Sequence, residues 1–556
     1  MSPSRNVFAP VVTAILLVIL GGAMALSAWR ASDGYRPALN QDTPALERVP
    51  PILTADHRAR LSRRVVIVII DGLRLKSSYG QDLLDQLRRE GVDAVALSHY
   101  PSYSRPNHVA ILTGVPPAWS GVRNNAYGWP VMLDSIMDRA NSAGLRSAYA
   151  ADRAFGAGMM FHDDFEAVHY APWPRGFAKA AKLVVAEDYP LVVLLPGAVD
   201  EAGHAFGARS EAYAAATAQV DRELGAALAA LDLAKDTVIV TADHGHTDPG
   251  GHGGLEKEVL EVPLILAGAG IRPGAPVGEA HVTDVAPTAA ALLGVPAPGH
   301  ALGRTLVEAL DIDAAARASL IAADQERLAR NQGVVDRAKA EAEPEIAHTR
   351  RIRLAIVAGL FALAFALLLA GRRFGALHVD WRVLVIAVPA FPLTYYALLD
   401  IVGQNVSLSA LPDRDDALNE LFQFGLVSTG VQVVAGWIAL RGRVVLRDRM
   451  AAANALTACG MLTAWVSAGI MWALFSPGTF VEPPGSTVLV LVPATYIAAA
   501  CHALAVAVTL GLEIVVFFAR AVDPRVRLRR LERAAQRERR RIARESSDAL
   551  GRTDLP

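Results

Sequence analysis

The sequence predicts a mostly parallel α/β domain, with its sheet sandwiched by helices, joined to an α-helical transmembrane bundle. Continuous apolar, β-branched runs alternate with helical patterns between residues 64 and 271, as in a buried parallel sheet. Further along the chain, several apolar segments are long enough to cross a bilayer. The composition agrees, because 53% of the residues are hydrophobic and the mean hydropathy is +0.30. These values are too high for an ordinary soluble enzyme.

Six apolar segments predict membrane spans. The first, at residues 7–29, is longer than a usual signal-peptide core, so we expect an uncleaved anchor rather than a cleaved signal peptide. The other five lie at residues 354–370, 383–402, 421–440, 451–475 and 487–518. The predicted divisions are an anchor at 1–31, an exported domain at 62–310, a helical connector at 311–353, a five-span domain at 354–519 and a basic tail at 520–556.

The loops between the spans alternate in charge. Arginines flank the loops near 372–382 and 441–449 and crowd the tail, whereas the intervening loops carry acids such as Asp413 and Glu482. The positive-inside rule then predicts cytoplasmic termini and an extracytoplasmic exported domain, as on the periplasmic side of a bacterial inner membrane. Three arginines at 350–353 depart from this pattern.

Charge and cysteine content argue against two other classes of protein. The formal net charge is −1, and the basic tail has no aromatic residues beside it, so no nucleic-acid partner is expected. Only two cysteines occur, and both lie in apolar runs. A disulfide framework or a cysteine metal site is therefore not expected.

Acids and histidines follow successive predicted strands in "RVVIVIIDG", "LVVLLPGAVDEAGH" and "TVIVTADHGH", and another histidine lies in the glycine-rich "DPGGHGG". In open α/β sheets the ligand site lies beyond the carboxyl ends of the strands, so we expect these side chains to converge. Three carboxylates and three histidines suit zinc or a similar ion, and six ligands suit two ions. The six residues are Asp71, Asp200, His204, Asp243, His244 and His252.

Each of these residues also has an ordinary structural interpretation, since an aspartate after a strand commonly caps a helix. Their coincidence at successive strand ends favours a shared site. His108, His246 and His281 lack this position, so we expect them at the surface or in support of other residues.

The stretch "SHYPSYSRPNHVAILTG", residues 98–114, supplies three candidate serine nucleophiles. A serine hydroxyl reacts poorly near neutral pH unless a base or a metal ion activates it. The converging acids and histidines could provide that activation.

Five motifs together resemble the alkaline phosphatase superfamily, and within it the type I phosphodiesterase/nucleotide pyrophosphatase branch. They are "IIDGLR", "PSYSRPNHVAILTG", "VDEAGHAFG", "TADHGHTDPGGHGG" and "VTDVAPTAAALLGVP". The "SRPNH" stretch and the spacing of "ADHGHTDPGGHGG" are also similar to the catalytic domain of GPI ethanolamine phosphate transferases. The resemblance covers residues 63–298.

The resemblance implies a role for each matching residue. Asp200, His204 and His252 match the ligands of one divalent ion, whereas Asp71, Asp243 and His244 match those of a second ion that also binds the nucleophile. The nucleophile falls on Ser104, and Asn125 matches an asparagine that hydrogen-bonds a phosphoryl oxygen. Arg105 and Trp129 are candidates for substrate contact.

The implied enzyme is a metal-dependent phosphodiesterase with two divalent ions, zinc by expectation, and a phosphoseryl intermediate. Its substrate would be a phosphoester, either lipid-linked or a nucleotide. The nearest alternative is a phosphoethanolamine-type transferase that acts on a lipid or glycan acceptor.

Three further alternatives remain at this point. A sulfatase would require a formylglycine in a Cys/Ser-x-Pro-x-Arg context, but this chain has His108 in place of the arginine. A phosphomonoesterase is disfavoured because the superfamily's arginine clamp has no identifiable counterpart. An inactive membrane scaffold is disfavoured because no ligand of the set is missing.

Overall fold

The computed structural model describes residues 8–522 except 42, 52–58, 172–175, 403–406, 411–413 and 442–445, together with residues 532, 535 and 536. Most of the predicted basic tail, and Asp413 and Arg443 in the predicted loops, lie outside the described residues.

One eight-stranded sheet, ordered β4-β3-β5-β1-β6-β7-β2-β8, forms the centre of the domain that the sequence predicts to be exported, hereafter the sheet domain. Its strands are β1 (Arg64–Ile69), β2 (Val92–Leu97), β3 (Ser147–Ala151), β4 (Ala167–Tyr170), β5 (Leu191–Leu195), β6 (Asp236–Thr241), β7 (Glu261–Gly268) and β8 (Ala280–His281).

The sheet is mostly parallel, which confirms the predicted fold class. β1 pairs in parallel with β5 on one side and with β6 on the other. β7 runs antiparallel to both β6 and β2, although its apolar run resembles those of the parallel strands. Every residue of β1 is buried, as expected for a central strand that is covered on both faces.

Helices cover the sheet and connect its strands. In chain order they are α1 (Phe8–Tyr35), which precedes the sheet domain, and then α2 (Asp82–Glu90), α3 (Ser104–Thr113), α4 (Pro117–Ser120), α5 (Ile136–Ser142), α6 (Ala157–Met160), α7 (Phe177–Ala186), α8 (Ala198–Phe206), α9 (Glu211–Leu228), α10 (Lys257–Leu260) and α11 (Val285–Leu293).

The chain then enters the membrane bundle, which consists of α1 and six later helices. The predicted connector and second span form one continuous 60-residue helix, and the third predicted span is divided near residues 388–389. The later helices are α12 (Ala314–Arg373), α13 (Trp381–Ala387), α14 (Ala390–Val402), α15 (Arg414–Leu440), α16 (Leu446–Phe475) and α17 (Ser486–Val522).

Six helical segments of the described chain are long and apolar enough to cross a membrane, and they coincide with the six predicted spans. The first is joined to the others by specific contacts. Ser32 Oγ donates to the Pro493 carbonyl at 3.2 Å, and Tyr35 donates to the Phe475 carbonyl at 2.9 Å. Asn454 donates to the Pro10 carbonyl at 2.8 Å. α1 is therefore packed into the bundle along its whole length.

A buried ion pair joins α16 to α17 inside this bundle. Two guanidinium nitrogens of Arg449 lie 2.5 Å from the two carboxylate oxygens of Glu513, and both side chains are almost fully buried. This bidentate geometry compensates each charge for its removal from water. Glu513, one of several ionisable residues near the spans, thus has a structural partner.

Removal of one member of this pair is expected to destabilise the bundle. Glu513→Ala leaves the Arg449 guanidinium buried without its counter-charge, which costs about 3–5 kcal/mol in comparable buried pairs. Thermal unfolding of the full chain in detergent micelles measures the loss. Replacement of both residues by methionine should recover most of it, whereas Asp448→Asn at the exposed neighbouring position should change little. Equal stability of Glu513→Ala and wild type would contradict this account.

Candidate active site

Three aspartates meet beyond the carboxyl ends of three adjacent parallel strands. Asp71 follows β1, Asp243 follows β6, and Asp200 lies in the first turn of α8, which follows β5. Because β5, β1 and β6 are neighbours in the sheet, all three carboxylates are brought to one edge, where they are buried.

Ser104 lies at the amino-terminal end of α3 and faces the same edge. Its Oγ is 3.2 Å from Nε2 of His244. The same Nε2 lies 3.5 Å from an Asp71 oxygen and 3.3 Å from an Asp243 oxygen. The other two candidate serines have different contacts: Ser98 donates to the Asp243 carbonyl and Ser102 to the Gly254 carbonyl. The structure therefore brings Ser104 to the cluster and assigns the other two hydroxyls to backbone groups.

Backbone contacts determine the tautomers of two histidines. Nδ1 of His244 lies 3.0 Å from the Gly245 carbonyl, and Nδ1 of His252 lies 2.9 Å from the Ser102 carbonyl. Because a carbonyl can only accept, each Nδ1 carries the proton and each Nε2 presents a lone pair to the cluster. Burial and the neighbouring His244 also hold the pKa of His252 well below its usual range. A neutral ring with a free Nε2 lone pair is the form that binds a metal ion.

His204 completes a second group with His252 and Asp200. His204 lies one helical turn after Asp200 on α8, with its Nε2 3.4 Å from an Asp200 oxygen. Nε2 of His252 is 3.1 Å from Nε2 of His204 and 3.7 Å from the same Asp200 oxygen. The ligand atoms of these three residues lie within 4.8 Å of one another, which is close enough to share one ion.

The three buried carboxylates repel one another, and the effect is seen in the pKa of Asp71. Burial, and then the carboxylates of Asp243 and Asp200, raise the pKa of Asp71 well above its usual value. Burial opposes ionisation of Asp200 as well, but hydrogen bonds with His204 and His246 outweigh it and lower its pKa. The cluster therefore favours the binding of positive charge.

Unpartnered oxygens provide an independent test of that conclusion. Both carboxylate oxygens of Asp71 and Oδ2 of Asp243 are buried without a hydrogen-bond partner. Buried carboxylate oxygens normally have partners, so an unpaired set of them is energetically costly. Carboxylate oxygens and imidazole nitrogens are the donors that zinc and similar divalent ions take. The residues present therefore fit a metal centre.

His246, which the sequence analysis left outside the site, is fully buried within it. Its Nδ1 accepts from the Gly251 backbone N–H at 3.1 Å, so the proton is on Nε2. That Nε2 donates to an Asp200 oxygen at 3.0 Å. His246 thus orients the Asp200 carboxylate through its proton, which corresponds to the supporting position rather than the surface position among the two predicted alternatives.

His108 is also buried beside the site. It lies one turn after Ser104 on α3, and its Nε2 is 3.2 Å from an Asp243 oxygen. A spacing of four residues places two side chains on the same helix face, and this signal could have identified His108 from sequence. His281, in contrast, is partly exposed and stacks on His99, with ring centroids 5.3 Å apart.

The three predicted substrate-side residues lie in different settings. Asn125 accepts from the Arg105 backbone N–H at 3.0 Å, which ties its loop to the start of α3. The Arg105 guanidinium donates to the Tyr127 carbonyl and lies over the Phe155 ring, 5.0 Å from its centroid. Trp129 is half exposed and contacts Tyr127 edge-on.

Arg153 is a cation at this site that the sequence analysis missed. Its guanidinium pairs with Glu201, lies 3.9 Å from an Asp200 oxygen and covers the Phe155 ring at 5.0 Å. Arg153 follows the carboxyl end of β3, which is parallel to β5. The rule that placed the aspartates would have placed Arg153 too, but β3 was not recognised as a strand.

Comparison with known proteins shows what this part of the chain is similar to. Residues 65–143 and 120–259 match the family model described as Type I phosphodiesterase / nucleotide pyrophosphatase. The predicted resemblance to the alkaline phosphatase superfamily, and to that branch of it, is thereby confirmed for this part of the chain.

Two kinds of curated relative are similar over shorter stretches. The catalytic subunit of human GPI ethanolamine phosphate transferase 2 is 26% identical over 272 residues, which cover 44% of this chain and 28% of the relative. The 2,3-bisphosphoglycerate-independent phosphoglycerate mutase of Cereibacter sphaeroides is 38% identical over 130 residues, which cover 22% of this chain and 25% of the relative. The matched part thus spans about a quarter of each relative's length.

Among solved structures, murine ectonucleotide pyrophosphatase/phosphodiesterase 5 aligns with 42% of this chain and 96% of its own. The TM-score is 0.37 and the sequence identity is 18%.

One buried carboxyl beside the site should make stability depend on pH. Asp152 accepts from the Gly197 backbone N–H at 2.7 Å, just before α8, and burial raises its pKa to about 6 from 3.8. The folded state therefore binds this proton more tightly than the unfolded state, so stability falls as pH rises through about 4 to 6. Asp152→Asn removes this dependence. Its unfolding free energy relative to wild type should increase by about 1–3 kcal/mol between pH 4.5 and 7.5.

Thermal unfolding of the full chain at the two pH values measures this difference. Asp163→Asn, at an exposed carboxyl, is the matched control and should show no such change. A constant difference between Asp152→Asn and wild type at both pH values would contradict the assignment.

Proposed function

We propose that this protein is a membrane-anchored, two-ion phosphodiesterase that acts outside the cytoplasm through a covalent phosphoseryl intermediate. The observation that carries the proposal is the position of Ser104. Its hydroxyl lies at a helix amino terminus, within 3.2 Å of a histidine that also approaches an oxygen of Asp71 and an oxygen of Asp243, both without a hydrogen-bond partner. A phosphoryl group bound there would meet the nucleophile and the positive end of α3 together.

Asp71, Asp243 and His244 would hold one ion beside Ser104, and Asp200, His204 and His252 would hold the other. Bound divalent ions would lower the pKa of the serine hydroxyl and neutralise charge on the phosphoryl oxygens. Zinc is the proposed metal, because imidazole and carboxylate in sets of three are typical of its catalytic sites.

The chain's own residues carry the remaining steps. The Ser104 oxygen, having lost its proton to water, attacks phosphorus in line, and the bond to the leaving alkoxide breaks. The leaving alkoxide takes up a proton from solvent. Water then attacks the phosphoserine and regenerates the hydroxyl. Asn125 would hydrogen-bond a phosphoryl oxygen, and His246 keeps Asp200 oriented throughout.

The location is part of the proposal. The arginine-rich loops support cytoplasmic termini and, with them, a sheet domain on the opposite side of the membrane. The contacts of α1 along the bundle support an uncleaved anchor at residues 1–31.

Loss of the nucleophile gives the most direct test. Ser104→Ala should lower kcat for bis-p-nitrophenyl phosphate by at least about 10³-fold, since the covalent route is removed. Hydrolysis assays on the full chain in detergent measure this loss, and elemental analysis should still find two zinc ions per chain. Acid-quenched wild-type protein should carry a p-nitrophenyl phosphoryl group on Ser104, since only one of the two p-nitrophenolate groups leaves in the covalent step.

Ser62→Ala is the matched control for the loss of a buried hydroxyl. Ser62 precedes β1, at the opposite edge of the sheet, and donates to the Arg64 carbonyl at 2.6 Å. Ser62→Ala should leave the turnover of bis-p-nitrophenyl phosphate unchanged. Wild-type turnover by Ser104→Ala would overturn the mechanism.

Transfer to an acceptor hydroxyl is the second candidate function. Two observations favour it: the similarity to a GPI ethanolamine phosphate transferase, and the contact of the nucleophile segment with the membrane bundle, where Tyr100 donates to the Pro484 carbonyl at 2.7 Å. A lipid-linked phosphodiester could reach a site in that position.

Incubation with phosphatidylethanolamine labelled in its headgroup separates the two functions. A transferase should release diacylglycerol and pass the label to an added lipid or glycan acceptor, with little free phosphoethanolamine. A hydrolase should release phosphoethanolamine at the same rate with or without acceptor. Ser104→Ala should abolish either product.

A further inference from the structure

A short segment of the membrane bundle contacts the loop that carries His252. The segment is Ser407–Ser409, between α14 and α15, and the loop is the glycine-rich stretch from Gly250 to Glu256. The hydroxyls of Ser407 and Ser409 donate to the two carboxylate oxygens of Glu256, the latter at 2.6 Å. Ser409 Oγ also accepts from the Gly254 backbone N–H at 3.0 Å. The bundle therefore holds this loop by both side chain and backbone.

The segment itself is anchored in the bundle. The Leu408 backbone N–H donates to Ser486 Oγ, at the start of α17, at 3.2 Å. The Ser409 N–H donates to Ser407 Oγ at 3.1 Å, and Ser409 is almost completely buried. The membrane helices thus hold the two serine hydroxyls in position to donate to the Glu256 carboxylate.

The opposite side of the loop is held by the segment that carries the nucleophile. Ser102 Oγ accepts from the Gly253 N–H at 3.0 Å and donates to the Gly254 carbonyl at 2.8 Å. The Ser102 carbonyl accepts from His252 Nδ1, and so determines which His252 nitrogen faces the cluster. Next to it, Tyr103 lies edge-on to the His252 ring, 5.8 Å between centroids, and packs in one apolar cluster with Leu408.

External support matters here because of the loop's composition. Gly253 adopts φ of +114°, which L-residues with a side chain rarely adopt, and its glycine neighbours restrict the chain little. A Cβ at Gly254 would lie 2.3 Å from a Glu256 oxygen and 2.7 Å from Ser409 Oγ, so the contact requires glycine there. The loop's conformation therefore comes from its partners rather than from its own backbone.

We infer that Glu256, Ser407 and Ser409 are positioning residues that make the membrane bundle a structural part of the metal centre. They hold the loop in the conformation that directs His252 Nε2 toward His204 and Asp200. This inference rests on the proposed function, in which His252 is an ion ligand. The bundle then does more than anchor the sheet domain at the bilayer.

Zinc affinity tests the inference without reference to turnover. The full chain in detergent micelles is dialysed against buffers of defined free Zn²⁺, and the zinc retained per chain is measured. Glu256→Ala should lower the affinity for one of the two zinc ions about 10–100-fold and leave the affinity for the other unchanged. Loss of other residues that orient a metal ligand has an effect of this size. Ser409→Ala should lower the affinity for the same zinc ion. The double variant should lower that affinity by less than the product of the two single effects, because the two residues act through one contact.

Glu258→Ala is the matched control, since it removes an exposed carboxylate two residues away on α10. Glu256→Gln keeps an acceptor for a serine hydroxyl and should retain most of the affinity. If Glu256→Ala does not elute as a folded monodisperse species, Ser409→Ala alone decides the test.

The outcomes separate this inference from the proposed function. Two zinc ions in wild type, bound equally tightly by Glu256→Ala, Ser409→Ala and Glu258→Ala, would overturn the positioning role and leave the two-ion phosphodiesterase intact. A wild-type chain that retains no zinc would overturn both.

Discussion

The mutual repulsion of three buried carboxylates is the constraint on which the rest of the site depends. Asp71, Asp200 and Asp243 are brought together because β5, β1 and β6 are adjacent and parallel, so their carboxyl ends share one edge. In a medium of low polarity, such a group of anions is stable only with compensating positive charge. The surrounding histidines supply hydrogen bonds and lone pairs, and the unpartnered oxygens indicate where cations would be bound.

The histidines of this cluster have different roles, which depend on the location of one proton. In His244 and His252 a backbone carbonyl keeps the proton on Nδ1, so Nε2 faces the carboxylates as a lone pair. In His246 a backbone N–H occupies Nδ1, so Nε2 keeps its proton and donates to Asp200. Residues of one type therefore divide into those that present a lone pair to the carboxylates and those that present a proton, by the polarity of the main-chain atom behind them.

The membrane bundle is in direct contact with the segments that carry the candidate site. The nucleophile segment and the His252 loop both touch the bundle, through Tyr100 and Tyr103 in one case and Glu256 in the other. A site built against the ends of membrane helices would suit the lipid-linked phosphoesters proposed above. This position unites the hydrolytic and transfer alternatives, which differ only in the acceptor of the phosphoryl group.

Local patterns in the sequence determined central strands such as β1, β5 and β6, the six apolar spans and the acids at the strand ends. These features follow from runs of neighbouring residues and from the rule that parallel strands end at one edge. Sequence reasoning also predicted Ser104 as the nucleophile, through the resemblance of whole motifs. It did not place His108 and His246 in the cluster, although the four-residue spacing of His108 from Ser104 was visible.

Only the tertiary structure decided the proton positions, the approach of Arg153 and the contact between Glu256 and Ser409. Each depends on atoms from segments far apart in the chain, such as the 150 residues between Ser102 and His252. A residue's type states which hydrogen bonds it can make, but the folded backbone selects which partner is within reach. The sequence therefore determines which types of side chain are present at the candidate site, whereas the packed structure determines how those side chains are oriented.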